Sequence, residues 1–339
     1  MSVNRKIVLG ARPQGLPGKE QFSFVEEALP VPKPGQALVK TLYVSVDPYM
    51  RGRMNAAKSY AKPYEVGGLM GGGAIGQVVD PGDTALRKGD MVSGGWGWQT
   101  YAAVDAASLQ AIDPGLVPVT AALGILGMTG LTAYFGLLHI GKPQPGETVV
   151  VSGAGGAVGM VVAQIAKIKG AHVVAISGSE EKNEYLKNEL GVDEVINYKT
   201  DDLEEALDKA CPNGVDVYFE NVGGEISDRV LARINKNARI PICGQIALYN
   251  LKEQDQGPRV QNILLKNTSL MQGFLVGDYA EHFAEGTREL AGWLREGRLK
   301  NAENITEGFE RIPESFLGLF SGDNLGKQLV KVAEAESLE

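Results

Sequence analysis

The sequence predicts an α/β protein in which a β-rich domain is followed by a doubly wound, mostly parallel sheet. Three observations carry this. Over residues 1–124, short β-type runs alternate with Gly/Pro turns and show no long helical period. Over 125–300, apolar strand-like runs alternate with amphipathic helices, the pattern of a parallel sheet covered on both faces. The first of those strands runs straight into a glycine-rich segment that opens a helix, "VVVSGAGGAVG" at 149–159. The remainder, 301–339, is neither a further βα unit nor a tail, and is expected to return to the first domain.

Taken in order, "RKIVLGA", "FSFVEEAL", "QALVKTLYVSVD", "AIGQVVD", "DMVSGGW" and "TYAAV" read as the strands of the first domain, punctuated by Pro30, Pro32 and Pro34 and by Gly71, Gly72 and Gly73. In the second domain "ETVVVSG" is strand 1 and "AVGMVVAQIAKIKG" a helix closed by Gly170. "HVVAIS" is strand 2, and Ser179 N-caps the helix "EEKNEYLKNELG". "EVINY" and "VDVYFEN" are strands 3 and 4, with the helix "DLEEALDKA" between them. "EISDRVLARIN" leads to strand 5, "ARIPICG"; "SLMQGFLV" is a sixth, outermost strand, and the amphipathic "YAEHFAEGTRELAGWLREG" closes the series.

Composition bounds the function. Thirty-three basic against 41 acidic residues leave a net charge of −8, which argues against nucleic-acid and anionic-membrane surfaces. The N-terminus lacks a secretory apolar region, and no apolar run approaches about 18 residues. The two cysteines, Cys211 and Cys243, form no disulfide framework, so a soluble cytoplasmic protein is expected. The three histidines, His139, His172 and His282, and the two cysteines fall where no Cys₂His-type cluster can be assembled, so no metal site is expected.

The glycine segment departs from G-x-G-x-x-G, since Val158 stands where the third glycine would fall. Gly153, Gly156 and Gly159 are instead three apart, and the roles survive: Gly153 turns the chain, Gly156 admits a pyrophosphate and Gly159 lets helix and strand pack closely. This is a dinucleotide cradle at a helix N-terminus. Strand 2 ends in Ser177, Gly178 and Ser179 followed by Lys182, small hydroxylated residues and an ammonium that suit a 2′-phosphate. Glu180 bonding the ribose would select NAD instead, but the glutamates fall one turn too late for the strand end, which favours NADP.

"YVSVDPYMRGRM", "GLTAYFGL", "SGAGGAVGMVVAQIAKIKG", "SEEKNEYL", "YFENVGG", "CGQIALYN" and "GDNLGKQLVKV", spread in order along nearly the whole chain, resemble the zinc-independent medium-chain dehydrogenases/reductases. Within them the chain is similar to the leukotriene B4 12-hydroxydehydrogenase/prostaglandin reductase group, with its alkenal double-bond reductases. The resemblance implies a GroES-like catalytic domain, a Rossmann domain, NADPH and reduction of the C=C bond of α,β-unsaturated carbonyls. It implies cofactor contacts at Gly156, Ala157, Val158, Gly159, Lys182, Tyr198, Asn221, Cys243, Phe274 and Asn324, and substrate contacts at Tyr49 and Tyr249. Tyr49 and Tyr198 could equally be aromatics packed in a core, Asn221 the cap of a turn, and Cys243 a small hydrophobe.

Chemistry points to Tyr249 as the catalytic residue. Hydride addition to the β-carbon of an enone builds negative charge on the carbonyl oxygen, and a tyrosine hydroxyl at the carboxyl edge of the sheet is placed to donate to it. The connection after it, "QIALYNLKEQDQGPRVQN", is long enough for a lid. "SLMQGFLV" leaves an uncovered apolar edge that pairing across a two-fold axis would cover, so a homodimer is expected. A quinone oxidoreductase and an NADP(H)-binding structural or redox-sensing protein remain as alternatives.

Overall fold

β-Branched and aromatic residues between Gly/Pro turns form strands throughout the first part of the computed structural model, which describes residues 3–337 other than 114 and 116. β1 (Val3–Leu9) and β2 (Phe22–Ala28) pair antiparallel as a separate ribbon. β3 (Gln36–Ser45), β4 (Ala74–Asp80), β5 (Met91–Gly94), β6 (Tyr101–Asp105) and β7 (Gln110–Ala111) belong to a seven-stranded sheet, with α1 (Tyr49–Arg53) after β3. The ten residues of β3 organise this sheet, pairing with β6 through Gln36–Lys40 and with β4 through Leu38–Val44. Register shifts at Leu38/Val39 and Thr41/Tyr43 bend the strand, as bulges do.

The chain divides into two compact units, one from Met1–Leu123, Asn304–Asp323 and Gln328–Glu339, the other from Gly124–Glu303 and Asn324–Lys327. The second unit begins with α2 (Met128–Phe135), which runs on as a π-helical turn through Gly141. There follow β8 (Thr148–Ser152), α3 (Ala157–Ile168), β9 (His172–Ser177), α4 (Glu180–Glu184), β10 (Glu194–Asn197), α5 (Leu203–Ala210) and β11 (Val215–Phe219). α6 (Gly224–Leu231), β12 (Ile234–Ile242), α7 (Gln261–Asn267), β13 (Leu270–Gly273) and α8 (Phe283–Arg295) complete the unit. The strand order is β10-β9-β8-β11-β12-β13, all parallel. The order reverses between β8 and β11, the switch point at which doubly wound sheets bind ligands.

Local chemistry explains the boundaries. All five residues of β8 are buried, as a central parallel strand requires. α3 buries every residue from Gly159 to Ala166 and stops at Lys169 and Gly170, the latter at φ +80°. Ser179 accepts from the Lys182 amide at the start of α4, and Asp202 from the Glu205 amide at the start of α5. β13 pairs on one side only and is the outermost strand, as its apolar run suggests.

The rest of the chain returns to the first unit. β14 (Glu303–Glu307), α9 (Ile312–Ser321) and β15 (Lys327–Lys331) follow, and β15 pairs antiparallel with β3. Phe316 of α9 sits edge-on to Trp98, and Phe22 packs against both rings.

Several elements differ from the sequence expectation, among them β13, which covers only Leu270–Gly273 of "SLMQGFLV". β12 starts four residues before "ARIPICG", because a bulge absorbs the polar Asn235–Asn237 stretch: Val215 pairs with Ile234, Val217 with Arg239, and Asn237 takes φ +64°. α7 occupies a stretch assigned no element and overlaps the connection 245–262 only at Gln261 and Asn262, while 251–259 lies outside helix and strand. α2 and its π extension occupy a stretch assigned no element, because its glycines and threonines mask an apolar helix.

A Cβ at position 159 would lie 2.4 Å from Gly153 O and 2.7 Å from Ala154 Cα, so Gly159→Ala is expected to destabilise the protein by about 1–3 kcal/mol. Position 292, also helical, faces open space, and Gly292→Ala should stabilise by about 0.5–1 kcal/mol. Urea unfolding of both variants checks this, and an unchanged midpoint for Gly159→Ala would refute the close approach.

Candidate dinucleotide site

The glycine segment makes a turn and then an unguarded helix start. Gly153 takes φ +59° directly after β8, and Gly156 is the N-cap of α3 with no side chain bonding the first-turn amides. Twelve residues of helix thus present their positive end and the first-turn N–H groups of Ala157, Val158 and Gly159, while Gly156 N donates to Gly153 O at 3.1 Å. A Cβ added at Gly156 would meet only Gly153 O, at 3.3 Å, so the loop is open there. One at Gly155 would lie 2.6 Å from Lys182 Cδ, which places the Lys182 side chain across the loop. Gly326 N donates to Gly155 O at 2.9 Å, and Asn324 Nδ2 donates to Gly326 O at 2.7 Å. Asn324 is thereby brought to the same loop from far along the chain. The donors and open backbone fit the pyrophosphate of a dinucleotide.

The end of β9 carries no acid. Ser177 Oγ donates to Asn183 Oδ1 at 2.7 Å, while Glu180 and Glu181 are exposed in the first turn of α4. The Tyr198 ring covers Gly178, where a Cβ would sit 2.7 Å from Cε1, and Tyr198 remains 43% exposed. Tyr198 is therefore a surface ring rather than a core aromatic.

At the switch point Ser152, the last residue of β8, ties that strand to β11 and the turn after it. Its Oγ accepts from Asn221 N at 3.0 Å and from the Tyr218 hydroxyl at 3.2 Å, and donates to Glu220 Oε1 at 3.0 Å. Its carbonyl accepts from Asn221 Nδ2 at 2.8 Å, so the Asn221 side chain is held and its amide nitrogen engaged. Cys243 N and Gly244 N donate to Glu220 O, and Ile246 N and Ala247 N to the carbonyls of Asn221 and Val222. This joins the turn carrying Tyr249 to the turn after β11. The Tyr249 hydroxyl accepts from Gln245 N at 3.4 Å and lies against Gly244, where a Cβ would come within 3.0 Å. Burial first, and the charge of Glu220 second, push the Cys243 thiol up to about 12, which makes it a small apolar group rather than a nucleophile. The Phe274 ring packs on Gly136 and edge-on to Phe219, tying the end of β13 to the π-helical turn.

Tyr49 alone of the expected residues lies in the first unit, at the start of α1. Burial, then the charge of Asp47, holds its phenol far above the ordinary tyrosine range. Neighbouring Tyr64 is pushed up to about 12 by burial, donates to Gly71 O at 3.0 Å and carries Arg53 4.1 Å above its ring. Glu220 is the residue that sequence reasoning passed over. Its signal was a lone acid closing the apolar run "VDVYFEN". Among the described residues no group of three or more His, Cys, Asp or Glu is placed to hold a metal ion. Cys211 and Cys243 are free thiols, and the ring of His172 lies against Ala210 O at 3.1 Å and Asp193 at 3.8 Å. Among the described residues no helix is long and apolar enough to cross a membrane.

Comparison with known proteins agrees with this geometry. Residues 5–112 match the family model described as the N-terminal domain of oxidoreductase, and residues 157–292 the one described as zinc-binding dehydrogenase. A Bacillus subtilis protein named as an NADP-dependent oxidoreductase is 59% identical over 97% of this chain and 98% of its own. The NADP⁺-dependent 2-alkenal reductase of Nicotiana tabacum is 38% identical over 97% of this chain and 98% of its own. The crystal structure of CurA from Vibrio vulnificus in complex with NADPH superposes with a TM-score of 0.94 at 41% identity, covering 97% of this chain and 99% of that one. A β-rich unit, a Rossmann sheet with its glycine turn and these end-to-end similarities place the chain in the medium-chain dehydrogenase/reductase family.

Proposed function

We propose that this chain reduces the C=C bond of α,β-unsaturated aldehydes and ketones with NADPH as hydride donor. The observation that carries the reading is the uncapped start of α3 with Lys182 lying across its glycine loop, beside a strand end free of acidic residues. The names of the tobacco relative and of the Vibrio complex supply the same substrate class and cofactor.

NADPH, when bound, supplies a hydride that bonds to the β-carbon of the enone, moving the C=C electron pair towards the carbonyl oxygen. The first-turn amides of α3 hold the pyrophosphate, and Lys182 pairs with the 2′-phosphate as a charge-assisted contact. Tyr198 would cover the adenosine end, and Asn221, Cys243, Phe274 and Asn324 would frame the remaining length. Tyr249 keeps its proton and donates a hydrogen bond to the oxygen on which charge develops. Accepting from Gln245 N strengthens that donation, because hydrogen bonds in a chain polarise one another. The α-carbon then takes a proton from water as the carbonyl double bond re-forms, so that one hydride and one proton have been added across the C=C bond.

Lys182→Ala should raise KM for NADPH by about 10- to 150-fold, the worth of a charge-assisted hydrogen bond, and leave NADH almost unchanged. Equal effects on both cofactors would remove Lys182 from the phosphate.

The proposed assembly is a homodimer through β13, which pairs with β12 alone and exposes Leu270. Sedimentation at micromolar concentration should read a dimer, and a charged substitution, Leu270→Lys, should shift it towards monomer. A wild-type chain that stays monomeric contradicts the edge pairing.

NADPH oxidation, followed with a panel of alkenals, cyclic enones and quinones, tests the activity itself. Enones should turn over, and Tyr249→Phe should lower kcat about 10- to 100-fold with little change in NADPH affinity, because the lost interaction belongs to the transition state. Turnover of quinones alone, or a wild-type kcat in Tyr249→Phe, would overturn the assignment.

A further inference from the structure

Glu220 follows β11 between the ends of β8 and β12, at the point where the strand order reverses, and is 1% exposed. Its Oε1 accepts from Ser152 Oγ at 3.0 Å, Val222 N at 2.8 Å and Gly223 N at 2.9 Å. Its Oε2 is also buried and has no hydrogen-bond partner among the described residues. Among the described residues no lysine or arginine forms an ion pair with it. Fastening the turn needs one acceptor, and Oε1 is that acceptor. A neutral amide could accept the same three bonds at its oxygen but would bury an NH₂ with no acceptor, so the position keeps an acid whose second oxygen fastens nothing. That second oxygen leaves an acidic group at the switch point that the turn itself does not use.

The groups facing it show where its field acts. Tyr218 and Cys243, on the two flanking sides, hold their protons more tightly through burial first and the charge of Glu220 second. Asp228 on α6 is of like sign and gives no compensation. Cys243 belongs to the turn that leads to Tyr249, and Asn221, next in sequence to Glu220, is locked to Ser152. The carboxylate thus lies immediately beneath the backbone that frames the switch-point crevice.

We propose that Glu220 is a positioning residue acting through charge: it biases the crevice towards the cationic, oxidised nicotinamide and so favours hydride donation. This rests on the NADPH reading above. Donation leaves the ring with one positive charge more than before, and a fixed buried carboxylate lowers the energy of that form without having to reorganise. Ser152 Oγ and the two amides hold the carboxylate in place, so the bias is built into the fold.

The test is the ratio of dissociation constants for NADP⁺ and NADPH, measured by calorimetry on the intact wild-type, Glu220→Gln and Glu220→Asp proteins. Gln keeps the accepting oxygen and removes the charge, whereas Asp keeps the charge and strains the hydrogen bonds. The ratio Kd(NADP⁺)/Kd(NADPH) should rise about 10-fold in Glu220→Gln and stay within about 3-fold of wild type in Glu220→Asp, as expected for a charge acting through a medium of effective dielectric about 20. Equal weakening of both forms in Glu220→Gln would make the residue structural and overturn the proposal. If the Gln variant does not fold, the Asp variant decides, and a tenfold rise of its ratio would be equally fatal. Failure of wild-type protein to bind either form would instead remove the NADPH reading.

Discussion

Helix α3 can approach β8 as closely as it does only because position 159 carries no side chain; the main chain at Gly153 and Ala154 occupies the space a Cβ would need. That approach aims the start of the helix across the end of the strand, rather than past it. The positive φ of Gly153 makes the reversal possible, and the absence of a side-chain cap at Gly156 leaves the amides for a ligand. A serine or aspartate at 156 would satisfy those amides internally and close the site that the turn creates. The cradle is thus a feature left unfinished by the fold, and the cofactor reading follows from what would finish it.

Much of this was legible because it is local. The capping serine at 179 and the closing glycine at 170 act within one helical turn, so their effect can be read from the sequence. The glycine spacing departed from the usual fingerprint, yet its context of strand, turn and helix carried the reading. What failed was also local in form but tertiary in cause. Asn235–Asn237 looks like a loop, and becomes strand because a bulge hides the extra residues while Ile234 pairs with Val215. Gln261–Asn267 forms a helix although it follows a long polar connection and buries none of its residues fully.

The site was legible in its parts more than in its connections. Local chemistry could nominate Lys182 and Tyr249, but not show that Lys182 lies across Gly155 or that the Tyr249 hydroxyl folds back onto Gly244. The Ser152–Glu220 pair spans 68 residues of sequence and exists only when β8 and β11 are neighbours. In sequence, Glu220 is one acid after an apolar strand, indistinguishable from a residue turning towards water. Only its burial reveals that the strand end has kept an acidic side chain inside.

Placed together, these groups give the crevice a polarity along its length. Near β8 and β9 lie the positive end of α3 and the Lys182 side chain; near β8 and β11 lies the buried carboxylate of Glu220. On the proposed reading, a dinucleotide presents phosphates to the first region and a ring that gains positive charge to the second. The two regions are held by different means, backbone amides and a surface ammonium in one case, a buried and unpaired oxygen in the other. The first can bind either redox form equally, since the phosphates do not change during reaction. Only the second distinguishes them, and because it is fixed before the cofactor arrives, its contribution appears as the hydride leaves and not as general affinity.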